Sequence, residues 1–325
     1  MNPTDLGPKI VVVGGGTGSF TVLSGLKNYA ENITALVSMA DDGGSTRQLM
    51  DEYGVLPPGD VRQCLVALSR SPQVRQLFNY RFSDGSFDGH SFGNLFLTAL
   101  EKMTGNFTDG VELAGKILKI VGKVEPLTLD KVVLCMKSAG RTTRHERNID
   151  DKTFDAPRPE LWLEPQTEPN PMALAAVKKA DIVVLAPGSL YTSLGAALVV
   201  PTLGAALKKS RARVVYFCNL VNKPGQTDDF SVEDHADELE RLAGVKFLDL
   251  VIYNNRRPSN EQLSRYANDG ELPVEYSGRS DRRYKGVDLV SKKAWKTQKG
   301  DKLKRTLIRH DPDKLARQIM RLYFS

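Results

Sequence analysis

Four glycines within five positions, Gly14-Gly15-Gly16-Thr17-Gly18, end the apolar, β-branched run Ile10-Val11-Val12-Val13. The residues that follow, Phe20-Thr21-Val22-Leu23-Ser24-Gly25-Leu26, have the spacing of a helix with one buried face. A strand, a glycine turn and a helix start are the parts of a phosphate cradle. Glycine lets the backbone approach a ligand closely, and the free N–H groups of a helix start attract anions. The chain is therefore expected to bind a nucleotide or another phosphorylated molecule.

The rest of the sequence repeats the strand-then-helix alternation. Strands are expected at 10–13, 33–40, 181–185, 214–219 and 248–253. Helices are expected at 20–29, 61–69, 95–103, 111–118, 172–179, 232–242 and 313–322, with Asp60 and Asp311 as N-caps. This alternation predicts an α/β fold, a mostly parallel sheet with helices on both faces. Between 121 and 165 the pattern changes to short extended runs at 132–136, 142–147 and 161–163. Ser138-Ala139-Gly140 separates the first two, which predicts a small antiparallel β excursion. The stretch 155–171 holds five prolines and reads as an extended return to the core. All 325 residues are read as a single domain.

Composition narrows the function classes. Hydrophobic residues at 41% and charged residues at 26% are ordinary for a soluble globular protein. No apolar stretch approaches the roughly 20 residues of a membrane span, and the N-terminus lacks the pattern of a signal peptide, so a cytoplasmic protein without a membrane partner is expected. Cys64, Cys135 and Cys218 are far apart and show no metal-type spacing. The net charge of +6 is uneven: residues 279–309 hold twelve Lys/Arg and three Asp/Glu, a local +9, leaving −3 elsewhere. Nucleic acid is not the expected partner of this basic segment, which has no known motif and little aromatic interleaving.

Several further turns could face the first one. The run 33–40 leads into Asp41-Asp42-Gly43-Gly44-Ser45, and adjacent parallel strands share one crevice at their carboxyl ends. Asp41 and Asp42 could hold Mg²⁺ beside phosphates, accept from ribose hydroxyls, or cap the following helix. Leu56-Pro57-Pro58-Gly59-Asp60 precedes a helix carrying Arg62, a candidate phosphate contact. Gly89-His90-Ser91-Phe92-Gly93-Asn94 opens another helix, where His90 and Asn94 could meet a ligand. Pro187-Gly188-Ser189-Leu190-Tyr191-Thr192-Ser193 repeats the strand, glycine turn and hydroxyl-rich helix start, with Tyr191 either stacking on a ring or packing in the core. Asn219 follows a later strand, and Arg309 ends the basic segment, where it could fork onto a phosphate. No activated nucleophile stands out, so catalytic residues are left unassigned. The first turn lacks the third glycine of the dinucleotide fingerprint, which weakens an NAD(P)-dependent oxidoreductase reading.

Taken in order, the glycine turn, the Asp41-Asp42-Gly43-Gly44-Ser45 turn, the Pro57-Pro58-Gly59-Asp60 turn, the 89–94 loop and the 187–193 turn resemble the bacterial gluconeogenesis-factor (YvcK-like) family. That family lies within the superfamily of the CofD-like 2-phospho-L-lactate transferases. The resemblance runs from about Lys9 to the C-terminal helix, with Arg309-His310-Asp311 matching a late element. It departs in two places. The regulators continue Gly-Gly-Ser-Ser-Gly-Arg where this chain has Gly43-Gly44-Ser45-Thr46-Arg47-Gln48, and carry Pro-Asn where it has Ala196-Ala197.

The resemblance implies a Rossmann-like core with a nucleotide site at the strand ends. Its transferase branch moves a phospholactyl group from a nucleotide-activated donor with Mg²⁺. Its regulatory branch is linked to cell shape and envelope-precursor supply during gluconeogenic growth, with a UDP-sugar such as UDP-N-acetylglucosamine as ligand. The 89–94 loop places this chain with the regulators. The expected site is then Gly14, Gly15, Gly16, Thr17, Gly18, Gly188 and Ser189 around a diphosphate. Asp41 or Asp42 would take ribose or Mg²⁺, with Asp42 the candidate metal ligand. Arg62, His90, Asn94, Tyr191, Thr192, Asn219 and Arg309 would complete it. A regulated protein partner and a homo-oligomer are consistent with this reading, and Mg²⁺ is its one candidate cofactor.

Overall fold

The run Ile10–Val13 becomes β1 near the middle of a seven-stranded parallel sheet, and its four side chains are at most 2% exposed. A strand covered on both faces reads as an unbroken apolar run, which is why no alternation appears in it. The computed structural model describes residues 7–154, 158–257, 259, 263, 270–291 and 309–325. The main sheet continues with β2 (Ile33–Val37), β3 (Lys123–Pro126), β7 (Ile182–Leu185), β8 (Arg213–Phe217), β9 (Leu250–Asn254) and β10 (Tyr284–Val287), in the order β10-β9-β8-β7-β1-β2-β3. The fold is Rossmann-like α/β, as expected.

The chain runs outward from β1 through β2 to β3, then returns to the other side of β1 and runs outward again from β7. The strand order therefore reverses between β1 and β7, the place where open α/β sheets bind ligands. Register keeps the strand ends level, with Val13 opposite both Leu36 and Leu185. Three turns thus leave the sheet side by side at its carboxyl edge.

The expected strands and helices are present with shifted ends. Helix α1 spans Gly16–Leu26, so half of the glycine turn is already helical. It is followed by α2 (Ser45–Tyr53), α3 (Gly59–Leu68), α4 (Pro72–Asn79), α5 (Phe92–Thr104) and α6 (Phe107–Leu118). The helix Val232–Leu242 begins and ends where its periodicity predicts. Asp311 caps the C-terminal helix Pro312–Tyr323 through Asp313 N–H and Lys314 N–H, as expected. Asp60 does not cap its own helix, because α3 starts one residue earlier and frees the carboxylate to reach another element.

The β excursion is narrower than expected, since Lys123–Pro126 pairs with β2 as a parallel edge strand. The excursion is a separate antiparallel sheet in the order β5-β4-β6, from β4 (Val133–Ser138), β5 (Arg141–Arg144) and β6 (Glu160–Glu164). Its hairpin turns through Ala139 and Gly140, both at positive φ (45° and 79°), the backbone of a type I′ turn. After β5 the short helix α7 (Glu146–Asp150) lies against the segment Leu190–Gly195 that follows β7. Four of the five prolines of 155–171 stand at described positions; Pro157 lies outside the described residues, as does 292–308 of the basic segment. Within the described part of the basic segment, Arg279 pairs with Asp237, and Arg283 with Asp237 and Glu240. Among the described residues no single helix is long and apolar enough to cross a membrane.

Candidate functional site

The glycine turn and the Pro187 turn touch. A Cβ on Gly18 would lie 1.4 Å from the Pro187 carbonyl oxygen, so no other residue fits there without moving one turn. On the far side Asn219 clamps the same turn, its Oδ1 accepting from Gly188 N–H (3.1 Å) and its Nδ2 donating to the Gly188 carbonyl (2.8 Å). Gly14, Gly15, Gly16, Thr17, Gly18, Gly188, Ser189 and Asn219 are thus brought to one edge. Thr17 is exposed at the start of α1.

The N-terminus of α1 is not vacant. Asp60 reaches across from α3 and accepts from Gly16 N–H at 2.9 Å. A Cβ on Gly15 would fall 2.0 Å from Asp60 Oδ2, so glycine at this position makes room for a carboxylate. Gly59 does the same for Asp41, whose Oδ2 would be 2.1 Å from its Cβ. Asp41 accepts from Gly43 N–H (3.0 Å) and Thr46 Oγ1 (3.3 Å).

Glu146, on α7, faces these two aspartates. Burial, and then repulsion from Asp41, Asp60, Asp150 and Asp42, pushes its carboxyl up to about 10. Burial first and Asp41 second push Asp60 up to about 7, and burial likewise raises Asp41. Arg62 lies close enough to pull Asp41 and Asp60 down, but desolvation and mutual repulsion outweigh it. No hydrogen bond holds Glu146's side chain among the described residues. Carboxyl oxygens facing one another in this way suit a hard cation, which Mg²⁺ is. No three His, Cys, Asp or Glu side chains among the described residues converge as a ready-made metal site. A cation here would therefore draw most of its shell from a ligand's phosphates, with at most two of Asp41, Asp60 and Glu146 as protein donors.

Asp42 is occupied differently. Its Oδ2 pairs with His145 Nδ1 at 2.5 Å, and its Oδ1 accepts from Arg147 N–H at 3.2 Å. The carboxylate thus caps α7 and ties the excursion to the end of β2. At its other end α7 is held by Gln226, whose Nε2 donates to the carbonyls of Ile149, Asp150 and Lys152. Lys223 Nζ meets Asp150 Oδ1 at 2.5 Å, and the same oxygen accepts from Thr192 Oγ1 at 2.8 Å. Thr192 in turn bonds Ser189 Oγ at 2.7 Å. Helix α7 therefore spans from the β2 turn to the loop after β8, passing the β7 turn.

The other expected residues stand further back. Arg62 is buried and donates from Nε to Asn94 Oδ1 (2.9 Å) and from a terminal nitrogen to Asn79 Oδ1 (2.6 Å). Asn94 Nδ2 donates to Ser45 Oγ (3.1 Å), and His90 Nε2 pairs with Gln48 Oε1 (3.0 Å). His90 and Asn94 therefore brace α2, with Arg62 holding Asn94, and Gln48, one of the departures from the regulators' pattern, is part of that brace. Tyr191 is a core residue: it is fully buried, with its ring 4.9 Å from that of Phe154, and is placed to pack and not to stack on a ligand. The Arg309 carbonyl accepts from Ser291 N–H, and the next residue, His310, bonds the Cys218 carbonyl just past β8. Sequence reasoning missed His145, Glu146, Asp150 and Lys223. Their one signal was a polar His145-Glu146 step in a stretch read as a strand, and the partners of His145 lie 103 residues away.

A reversal-point crevice with touching glycine turns, ringed by carboxylates and crossed by a short helix, defines a Rossmann-like α/β protein. The family model described as 2-phospho-L-lactate transferase CofD matches residues 10–295, and the chain belongs to this CofD-like family. A relative from Thermoanaerobacterium thermosulfurigenes is 40% identical over 321 residues, covering 97% of each chain. The gluconeogenesis factor of Bacillus subtilis is 36% identical over 313 residues, covering 95% of this chain and 96% of its own. The crystal structure of a UPF0052-family protein from Bacillus halodurans matches with a TM-score of 0.86 at 34% identity, covering 96% of this chain and 99% of that one.

Proposed function

We propose that the chain is a cytoplasmic regulatory protein that binds a UDP-sugar, with UDP-N-acetylglucosamine the first candidate, and acts on envelope-precursor supply and cell shape during gluconeogenic growth. The observation that carries the reading is the contact of the Gly18 and Pro187 turns at the point where strand order reverses. There, backbone N–H groups of two turns and the hydroxyls of Thr17 and Ser189 can share one diphosphate. The relatives named as gluconeogenesis factors support the physiological half of the proposal. A regulated protein would read the liganded state. Calorimetry with UDP-N-acetylglucosamine and with GDP, each with and without Mg²⁺, tests it. Heat with the UDP-sugar and a raised melting temperature are expected, and neither signal with either nucleotide refutes it.

One observation favours a second reading, transfer of a phospholactyl-like group from a nucleotide-activated donor. Asp41, Asp60 and Glu146 crowd the edge beside the two turns, where Mg²⁺ held chiefly by the donor's phosphates would meet them, and the matching family model carries a transferase's name. Bound there, Mg²⁺ would neutralise phosphate charge. The protein's own part is to hold the donor through the two turns and to keep Glu146 protonated until a cation arrives. Turnover lost in Asp41→Asn with nucleotide still bound would select this reading over regulation.

A further inference from the structure

Asp42 stands just past the end of β2 and beside the β1 turn, where sheets of this connectivity place the acid that accepts a ribose hydroxyl. In this chain both of its oxygens are already engaged, one by His145 and one by Arg147 N–H, and its side chain is 10% exposed. Asp41 is engaged in the same way, by Gly43 N–H and Thr46 Oγ1. The His145 ring remains available at this edge, as does the carboxyl of Glu146. A carboxylate that accepts from Nδ1–H fixes the imidazole tautomer and leaves the Nε2 lone pair as an acceptor. Nε2 has no hydrogen bond among the described residues, and the His145 side chain is 29% exposed.

The backbone supports a special role. His145 has φ 79° and ψ 132°, a conformation that side-chain-bearing residues rarely adopt. It is held there by its N–H on the Leu134 carbonyl (2.9 Å) and by Ile149 N–H on its own carbonyl (3.0 Å). Strain kept at one residue, with its ring oriented by a buried acid, is the pattern of a ligand-reading group.

We propose that His145 is the ribose reader of the crevice, its Nε2 accepting a hydrogen bond from a ribose hydroxyl of the bound nucleotide while Asp42 positions the ring. The inference rests on the nucleotide reading above. It is tested by calorimetry on the whole chain with UDP, 2′-deoxy-UDP and 3′-deoxy-UDP. The unaltered protein should prefer UDP over one deoxy analogue by roughly three- to tenfold, the range of a single hydrogen bond. H145G removes the ring and suits the positive φ, and H145F keeps the ring's bulk without its nitrogens. Both should lose the preference while binding the deoxy analogue as tightly as the unaltered protein does. A preference retained in both variants, or affinity lost equally for all three ligands, overturns the proposal. Absence of binding of any of the three by the unaltered protein overturns the nucleotide reading together with it.

Discussion

Replacing Asp60 with asparagine should stabilise the protein at pH 8 and do so by less than half as much at pH 5. Asn keeps the oxygen that accepts from Gly16 N–H and removes a charge that burial and Asp41 both oppose. The carboxyl is pushed up to about 7, from an ordinary 3.8. Between these two values the folded chain holds a proton that the unfolded chain has lost, so stability falls as pH rises through that window. Each pH unit is worth about 1.4 kcal/mol, which bounds the effect at about 4 kcal/mol. Relaxation around a carboxylate that is only partly enclosed removes about half of that. Losing a negative charge from the N-terminus of α1 takes back up to about 1 kcal/mol. A gain of about 1–2 kcal/mol remains at pH 8, a rise in melting temperature of about 1.5–3 °C for a domain of this size. Scanning calorimetry of both proteins at pH 5, 6.5 and 8 measures it. A variant less stable than its parent at pH 8, or a gap independent of pH, would show that the helix end welcomes the charge and that the repulsion argument is wrong.

Glu146→Gln should differ from Asp60→Asn, because a carboxyl pushed up to about 10 is already neutral at pH 7; its melting temperature at pH 7 should stay within about 1 °C of the parent's. Gly18→Ala meets the Pro187 carbonyl at 1.4 Å and should abolish nucleotide-induced thermal shifts or soluble expression; full binding would contradict the touching turns. Asn219→Ala removes two hydrogen bonds from the Gly188 peptide groups and should lower stability by about 1–3 kcal/mol in urea titrations. Ala139→Gly relieves a φ of 45° in the hairpin turn and should raise stability by up to about 1 kcal/mol in the same assay.

The phosphate edge was legible because its signals are local. A β-branched run followed by glycines specifies a buried strand and a turn with little help from distant residues, and β1, β2 and β7 fall where the pattern puts them. The shape of the edge was less legible. His90 and Asn94 sit in a glycine-rich loop like those around the crevice, yet that loop folds back on α2, a choice made by Arg62 and Ser45, which are 32 and 49 residues from Asn94. Asp60 was read as a cap from its place before an apolar run, and its carboxylate instead serves a helix that starts 44 residues earlier. The residues of α7 were the least legible, since nothing near His145 or Glu146 in the chain signals the aspartates they meet.

The position of β1 has a consequence for synthesis. Of the sheet's strands it is made before the others, but its neighbour on one side is made only some 170 residues later, as the bond from Lys9 N–H to Asp181 shows. Until then the nascent chain can assemble β1, β2 and β3 with one bare, wholly apolar margin, the kind of margin on which unfinished chains stick to each other. Slow translation across the excursion would prolong that vulnerable interval, and a chaperone guarding Ile10–Val13 would shorten its effect.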